Sequence, residues 1–310
     1  MYLVTGGAGF IGCNIVRELL SRGERVRVLD SFATGRRENL AEIADQVELW
    51  EADIRDLEAI RPAFAGVDYV LHQAALPSVP RSLKDPIATT ETNVNGTLHV
   101  LLACRDAGVK RCVMASSSSV YGANPDLPKH ENMRLQPISP YAASKFAAEG
   151  FAAAFHQVFD LETVCLRYFN VFGPRQDPTS QYAAVIPLFI NTMLRGERPM
   201  IFGDGEQSRD FTYVANVIAA NLKAAPAAGG AGGAFNIACG ERVSLNQLVG
   251  FLNEIMGTAI EPVYADDRPG DVKHSLADIS AAKDAFGYEP VVSFQEGLAR
   301  VVAWYRAHPV

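Results

Sequence analysis

TGGAGFIG, residues 5–12, is the stretch that decides the fold of this 310-residue chain. It joins an apolar N-terminal run to a segment with helical periodicity, and Gly6, Gly9 and Gly12 have the spacing GxxGxxG. The next apolar run ends at Asp30. A glycine-rich turn between a strand and a helix, with an acid at the end of the following strand, is typical of a dinucleotide-binding βαβ unit.

Strands and helices are expected to alternate over the first half of the chain. Strands are predicted at 47–53, 68–75, 110–116 and 162–168, and helices at 56–64, 84–107 and 141–159. This alternation indicates the α/β class, a doubly wound parallel sheet (Rossmann fold) with helices on both faces. Such sheets bind ligands at the carboxyl ends of their strands.

The pattern becomes less regular after about residue 170, with helices predicted near 183–194 and 213–225. We predict a Rossmann domain over 1–169 and a smaller mixed α/β substrate-binding lobe over 170–310, with 211–238 returning to the first domain. The glycine-rich stretch 224–234 is interpreted as a linker.

Composition argues against several classes of protein. The net charge is −7 and no block of Lys or Arg occurs, so we expect no nucleic-acid partner. The N-terminus lacks the features of a signal peptide and no apolar run is long enough for a membrane span, so we expect a cytoplasmic protein. Five cysteines without a CxxC pair are interpreted as free thiols, and six histidines without ligand spacing predict no metal site.

The glycine-rich turn and Asp30 predict the cofactor. Glycines let the backbone approach a pyrophosphate, whose charge faces the N-terminus of the helix. Asp30 is expected to bind ribose hydroxyls and to repel a 2′-phosphate, which favours NAD over NADP. Arg36 and Arg37 argue for NADP, but Asp30 lies at the strand end and carries more weight. Asp53 either contacts adenine or caps its own strand.

Tyr141 and Lys145 form a YxxxK motif that opens a helix, where the i, i+4 spacing puts both side chains on one face. The serine run 116–119 ends a predicted strand shortly before it. A phenol has a pKa of about 10, and Lys145 together with a positive nicotinamide ring favours the phenolate. Tyr141 can then accept a proton from a sugar hydroxyl while a hydride leaves the same carbon, with a serine bridging the substrate oxygen and the phenol.

These motifs together resemble the extended short-chain dehydrogenase/reductase family, and within it the nucleotide-sugar 4-epimerases. The resemblance covers essentially the whole chain: TGGAGFIG, DSFATGRRENL (30–40), HQAA (72–75), NVNGT (93–97), SSSSVYG (116–122), YAASK (141–145), RYFNVFGP (167–174), SRDFTYV (208–214) and RPGDVKHSLAD (268–278). It implies a catalytic serine at Ser117, with Ser116 as the alternative. Family members that dehydrate or decarboxylate nucleotide sugars carry acids beside this serine. Here the positions are Ser118 and Ser119, so we expect the chemistry to stop at hydride removal and return.

The resemblance also implies which residues form the site. The catalytic residues are Ser117, Tyr141 and Lys145. The cofactor-binding residues are Gly6, Gly9, Phe10, Ile11, Gly12, Asp30, Thr34, Gly35, Asp53, Ile54, Gln73, Ala74, Ala75, Asn93, Tyr141, Lys145 and Tyr168. The substrate-binding residues are Val79, Ser117, Ser118, Tyr141, Asn170, Val185, Phe202, Arg209, Arg268, Asp271 and Ser275. The two arginines suit a diphosphate, although each is also compatible with a surface salt bridge, and Asn170 with a turn cap.

Ser275 bears on the sugar, because the family places a bulky tyrosine there when the pocket excludes an N-acetyl group. Together with LPSVPRS (76–82), the small side chain predicts interconversion of UDP-GlcNAc and UDP-GalNAc. The alternatives are a UDP-glucose or UDP-glucuronate 4-epimerase, a net NAD-dependent nucleotide-sugar oxidoreductase, and a non-catalytic NAD-sensing regulator. The resemblance implies a homodimer through the helices near 84–107 and 141–159, although the second helix also suits an ordinary core.

Overall fold

The computed structural model describes residues 1–177, 184–266 and 273–309. Its strands are β1 Tyr2–Thr5, β2 Val26–Asp30, β3 Glu48–Glu51, β4 Tyr69–His72, β5 Arg111–Ser117, β6 Glu162–Tyr168, β7 Val171–Phe172, β8 Met200–Phe202, β9 Ser208–Arg209, β10 Thr212–Tyr213, β11 Ala234–Ile237, β12 Val243–Ser244 and β13 Val263–Ala265. Seven of them form one sheet in the order β11-β6-β5-β4-β1-β2-β3, and every neighbouring pair is parallel. The predicted α/β class and Rossmann-type sheet are therefore confirmed.

Helices cover both faces of this sheet. They are α1 Phe10–Ser21, α2 Leu57–Ile60, α3 Val79–Lys84, α4 Pro86–Thr90, α5 Thr97–Ala107, α6 Pro140–Phe159, α7 Val185–Leu194, α8 Val214–Ala224, α9 Leu245–Met256, α10 Ser280–Phe286 and α11 Phe294–Ala307. Side chains alternate along each strand, so Val4 of β1 is buried in the cluster that includes α1 and α8, and Leu3 in the cluster that includes α5 and α6. A third buried cluster joins α7, α9 and α11.

The helix predicted over 84–107 is broken in the structure. Asp85 caps α4 by accepting a hydrogen bond from the Ala88 N–H, and a π-helical turn over Glu91–Gly96 precedes α5. A Cβ atom on Gly96 would lie 2.7 Å from Ile54. The π turn therefore lies where the backbone approaches a neighbouring segment too closely for a side chain.

Two smaller boundaries also differ from the prediction. The third strand ends at Glu51, before Asp53. The helix predicted over 56–64 is α2 followed by a 3₁₀ turn containing Pro62, which has no N–H to continue the helical hydrogen bonds.

The interpretation of 224–234 as a linker is wrong, because this stretch is fixed to the sheet. Arg111 donates to the carbonyl oxygens of Ala224 and Gly229, and the Gly232 N–H donates to Thr163. The stretch leads directly into β11, which pairs with β6. We accordingly propose that α8 and β11 belong to the Rossmann domain and that the cluster of α7, α9 and α11 forms the second lobe.

Candidate active site

The glycine-rich turn lies between β1 and α1 and has room only for backbone. Gly6 has a φ of +67°, and a Cβ atom there would lie 2.7 Å from the Ala74 nitrogen. A Cβ atom on Gly12 would lie 2.1 Å from the Gly6 carbonyl oxygen. Gly9 is the N-cap of α1 and supplies no side chain, and the first turn of α1 contains no acid. The free N–H groups of this helix end therefore face the neighbouring cavity and suit an anion such as a pyrophosphate.

This cavity has a volume of about 660 Å³ and lies at the carboxyl ends of the central strands. Its lining includes sixteen of the seventeen predicted cofactor residues: Gly6, Gly9, Phe10, Ile11, Gly12, Asp30, Thr34, Gly35, Asp53, Ile54, Gln73, Ala74, Ala75, Tyr141, Lys145 and Tyr168. Gln176 also lines it, and its Oε1 atom is buried without a hydrogen-bond partner among the described residues. The cavity therefore offers both a backbone cradle and an unpaired polar atom to a bound cofactor.

Asp30 is held at one end of the cavity by two backbone N–H groups. Ala8 and Phe32 each donate to its carboxylate over 2.8 Å, while burial raises its pKa. A Cβ atom on Gly35 would lie 2.8 Å from this carboxylate, so the glycine leaves the space above it open. Asp30 is therefore fixed where it can accept hydrogen bonds from a ribose, as NAD requires.

The two arginines that argued for NADP have partners of their own. Arg36 forms an ion pair with Asp177 over 3.2 Å. Arg37 forms one with Glu51 over 2.5 Å, and its guanidinium lies 4.0 Å from the centre of the Phe32 ring. These pairs satisfy both charges without a 2′-phosphate. Asp53 pairs with Arg55 and lines the cavity, so both of its predicted roles remain compatible with its position.

Asn93 is the predicted cofactor residue that the cavity does not include, and we correct that assignment. Its side chain is buried and exchanges hydrogen bonds with the backbone N–H and C=O of Leu76. It also donates to Ser144, which in turn donates to the carbonyl oxygen of Tyr141. Asn93 therefore braces the wall of the cavity and the start of α6 from behind.

Tyr141 and Lys145 point from α6 towards the end of β5. Ser139 caps α6 by accepting from the Ala142 N–H over 3.1 Å. Lys145 Nζ donates to the carbonyl oxygen of Ala115 over 2.9 Å, and the Ser117 hydroxyl acts on the Tyr141 phenol, whose pKa it lowers. A phenol, a hydroxyl and an ammonium thus meet beside the cavity, which is an arrangement that can hold and transfer a proton.

Burial dominates the ionisation of this group. It raises the pKa of Tyr141, against the opposing effect of the Ser117 hydrogen bond. It lowers the pKa of Lys145 to about 8, although Cys165 and Glu149 act in the opposite direction. The phenolate expected from Lys145 together with the nicotinamide ring therefore depends on bound NAD. Tyr141 is a neutral phenol that loses its proton only when further positive charge is nearby.

The structure distinguishes the two candidate serines by their partners. Ser116 lines the first cavity but donates its hydroxyl to Glu149 over 2.5 Å, whereas the Ser117 hydroxyl accepts from the Ser119 N–H and lowers the pKa of Tyr141. This favours Ser117 as the hydroxyl that acts with the phenol. Glu149, which Arg167 also contacts, was not anticipated from the sequence. Its spacing of four residues from Lys145 was the available signal.

A second cavity of about 280 Å³ adjoins the first, since Ala184 lines both. Four predicted substrate residues line it, namely Asn170, Val185, Phe202 and Arg209. The rest of the lining is mostly apolar, which suits a flat ring with a polar edge. Arg268 and Asp271, also predicted for the substrate, lie outside the described residues.

The structure does not bring every predicted substrate residue to these cavities. Val79 begins α3, Ser118 begins a 3₁₀ turn, and none of Val79, Ser117, Ser118 or Ser275 lines either cavity. Ser275 lies beside β9, where its N–H donates to the Ser208 carbonyl oxygen over 3.0 Å. Sequence reasoning also missed Ser78 and Arg81, which do line the first cavity. The positive φ of Ser78, +96°, has no signature in the sequence.

Other kinds of site were sought in the described ranges 1–177, 184–266 and 273–309. Within them, His, Cys, Asp and Glu form no group of three or more suited to a metal ion. No helix in the same ranges is both long and apolar enough for a membrane span.

The chain is similar to known proteins over nearly its full length. The model of the NAD dependent epimerase/dehydratase family matches residues 2–238. A UDP-N-acetylglucosamine 4-epimerase from Methanobrevibacter ruminantium M1, solved in complex with UDP-N-acetylmuramic acid, is 41% identical with a TM-score of 0.94, over 99% of this chain and 98% of that one. A UDP-glucose 4-epimerase of Thermus thermophilus, solved in complex with NAD, is 38% identical with a TM-score of 0.89, over 98% of each chain. A UDP-glucose 4-epimerase of Mycolicibacterium smegmatis is 39% identical over 98% of each chain.

Proposed function

The chain belongs to the NAD-dependent epimerase/dehydratase family and is a NAD-dependent nucleotide-sugar 4-epimerase; from this premise we propose that it interconverts UDP-GlcNAc and UDP-GalNAc. The proposed reaction is supported by the proximity of Ser117, Tyr141 and Lys145 to one another beside the NAD cavity. The proposed sugar rests on the resemblance, which places Ser275, a small side chain, where members that exclude an N-acetyl group carry a tyrosine.

Bound NAD supplies a hydride acceptor next to these residues. We propose that Tyr141 accepts the proton of the sugar C4 hydroxyl and that Ser117 holds the same oxygen. Lys145, fixed by the Ala115 carbonyl, keeps a positive charge near the phenol. In the return step Tyr141 gives its proton back to the C4 oxygen, so the protein ends the cycle unchanged.

The composition of the serine run limits the reaction to this cycle. Elimination of water or carbon dioxide from the oxidised sugar needs an additional acid or base next to the reacting carbons. Ser118 and Ser119 stand where the resembling dehydratases and decarboxylases carry acids. The oxidised sugar is therefore expected to rotate within the site and to accept the hydride on the opposite face of its C4 carbon.

For the sugar to rotate, the protein must hold the substrate by its nucleotide part. We propose that the second cavity binds uracil against Phe202 and Val185, with Asn170 at the polar edge. Arg209 is directed by bonds to the carbonyl oxygens of Ser208 and Lys273, and we propose that it and Arg268 bind the diphosphate. Binding energy placed on the UDP leaves the sugar free to rotate.

The sugar specificity is tested at Ser275. Ser275→Tyr is expected to reduce conversion of UDP-GlcNAc by at least about tenfold, because a bulky ring would occupy the space of an N-acetyl group. Conversion of UDP-glucose by the same variant is the internal control and should be retained. Unchanged conversion of UDP-GlcNAc by Ser275→Tyr would favour UDP-glucose, the substrate named for the Mycolicibacterium and Thermus relatives.

We further propose a homodimer and a cytoplasmic location. Helices α3 and α4 pack against α6. Large apolar side chains on these helices, namely Leu83, Ile87, Phe146, Phe151, Val158 and Phe159, are exposed. Apolar residues on neighbouring helices suit a second copy of the chain. All five cysteines are free thiols and four are buried, which suits a reducing compartment.

A further inference from the structure

Three consecutive residues at the end of β5 act on three side chains of α6. Ala115 accepts a hydrogen bond from Lys145, Ser116 donates one to Glu149, and the Ser117 hydroxyl lowers the pKa of Tyr141. The three α6 residues have four-residue spacing and so lie along one face of the helix. Glu149 is therefore the third member of a stripe whose other two members are the catalytic pair.

Glu149 is a buried anion with a buried partner. Arg167 of β6 contacts it through two parallel bonds, from Nε over 2.9 Å and from Nη2 over 2.8 Å. The third donor group of Arg167 bonds to the Tyr121 phenol, which in turn donates to Asn236 on β11. A buried carboxylate held in this way has little freedom to move, so the Ser116 hydroxyl is held with it.

Glu149 also acts on Lys145, four residues before it on α6. The charged and titratable groups around that ammonium are Glu149 on α6, Cys165 and Arg167 on β6, and His72 on β4. Burial raises the pKa of Cys165 and lowers that of His72 to about 3, so both are neutral at pH 7. Burial lowers the pKa of Lys145, and Glu149 opposes that effect while it is paired with Arg167.

We propose that Glu149, paired with Arg167 and bonded to Ser116, is a positioning residue that fixes the end of β5 against the catalytic face of α6. This inference rests on the proposed epimerase function for its kinetic consequences. It assigns a role in the reaction to a residue that touches neither cavity. The alternative is that the pair only stabilises the fold, as a buried salt bridge elsewhere would.

The same two strands contain a matched control at their other ends. Arg111 begins β5 and pairs with Glu162, which begins β6, over 2.6 Å. Arg111 is as buried as Arg167, but Glu162 is half exposed and far from α6's catalytic face. Glu162→Gln therefore removes a carboxylate from a β5–β6 ion pair without touching the Tyr141–Lys145 group.

The experiment compares Glu149→Gln, Glu162→Gln and the wild type, each as the NAD-bound protein. The pKa of Lys145 is measured by competitive acetylation with trace acetic anhydride and mass spectrometry of its peptide, and kcat and KM are measured across pH with UDP-GlcNAc. We expect Glu149→Gln to lower the pKa of Lys145, because a carboxylate that raises it is lost. The alkaline limb of kcat should move with it, kcat should fall about tenfold, and KM should stay near wild type. Glu162→Gln should change none of these.

A wild-type pKa of Lys145 and a wild-type kcat in folded Glu149→Gln would overturn the inference, whatever happened to its melting temperature. If Glu149→Gln does not fold, Ser116→Ala keeps the ion pair and removes the hydroxyl that bonds to Glu149; because this hydroxyl also lines the NAD cavity, the NAD content of the variant is measured alongside. Its kcat should then fall several-fold at constant KM, and an unchanged kcat would overturn the positioning role. If the wild type converts no nucleotide sugar, the proposed function fails, but the acetylation result still decides whether Glu149 controls Lys145.

Discussion

Tyr141 and Lys145 show how burial changes the chemistry expected of single residues. Their spacing placed them together from the sequence, and the structure brings them to one face beside the NAD cavity. Burial raises the pKa of the phenol and lowers that of the ammonium to about 8, so each is biased towards its neutral form. Proton acceptance by Tyr141 would therefore depend on the positive charge that the nicotinamide ring of bound NAD brings to the site.

Tyr141→Phe tests the role of the phenol. The variant should fold and retain NAD, because the hydroxyl is the only group removed. Its kcat for 4-epimerisation should fall by about 10²–10⁴, the range expected when a general base is lost. Tyr69→Phe is the control, since Tyr69 begins β4 at the end of the strand away from the cavity and should keep full activity. Comparable turnover in the two variants would exclude Tyr141 as the base.

Residue-level prediction failed where a side chain acts through a neighbour. Asn93 was assigned to the cofactor, but its amide is used to bind Leu76 and Ser144. Glu149 was not identified, because a single glutamate in a helix looks like an exposed charge until Arg167 is seen to pair with it. Local patterns identify residues with unusual chemistry, whereas pairing between distant segments depends on the fold.

At the scale of elements, the turn from β1 to α1 is the most constrained part of the site. Gly12 lies where a side chain would overlap the Gly6 carbonyl oxygen, so the turn and the helix start depend on each other. The sequence alone predicts this turn, because glycines are required where two stretches of backbone approach each other closely.

Gly12→Ala should move this turn and weaken NAD binding by at least about tenfold, since the added Cβ atom would lie 2.1 Å from backbone. The measurement is the NAD content of the purified protein, with its affinity after removal and re-addition. Gly250→Ala is the control, as it lies inside α9 with open space around it and should stabilise the helix by about 0.5–1 kcal/mol. Full NAD occupancy in Gly12→Ala would show that the turn does not form the cradle described here.

The helix predicted over 84–107 shows where element-level prediction stops. Apolar periodicity continues through this stretch, but Pro86 begins a new helix after the Asp85 cap, and the π turn follows. The turn places Asn93 behind the cavity wall, where it braces Leu76. The periodicity of apolar residues shows which face of a helix is buried. It does not show that one helical turn contains an extra residue.

At the scale of the whole molecule, buried polar contacts join the two lobes proposed above. The Asp210 carboxylate accepts backbone hydrogen bonds from Cys239 and Gly240, after β11, and from Ala277, before α10. Such contacts fix the second cavity relative to the first. Composition does not predict these contacts, because they join segments that are distant in sequence. For the same reason it does not predict that β11 pairs at the edge of the central sheet.

The exposed apolar residues of α3, α4 and α6 carry the prediction about assembly. The wild type should have the mass of two chains by light scattering, about 67 kDa for a dimer of 33.5 kDa subunits. Ile87→Glu combined with Phe146→Glu should yield monomers, because charge would be buried at the contact. Val291→Glu, at an exposed apolar residue beyond α10, should stay dimeric. A monomeric wild type would refute the proposal.

The central claim is that hydride leaves and returns at C4 of a UDP-N-acetylhexosamine without net redox change. The direct measurement is proton NMR of the sugar C4 region after the purified protein is incubated, without added NAD, with UDP-GlcNAc, UDP-glucose and UDP-glucuronate separately. We predict a galacto product mainly from UDP-GlcNAc, with no steady rise of nicotinamide absorbance. Conversion of UDP-glucose or UDP-glucuronate alone would contradict the proposed sugar, and steady accumulation of NADH or no conversion after NAD is added would contradict the 4-epimerase reaction itself.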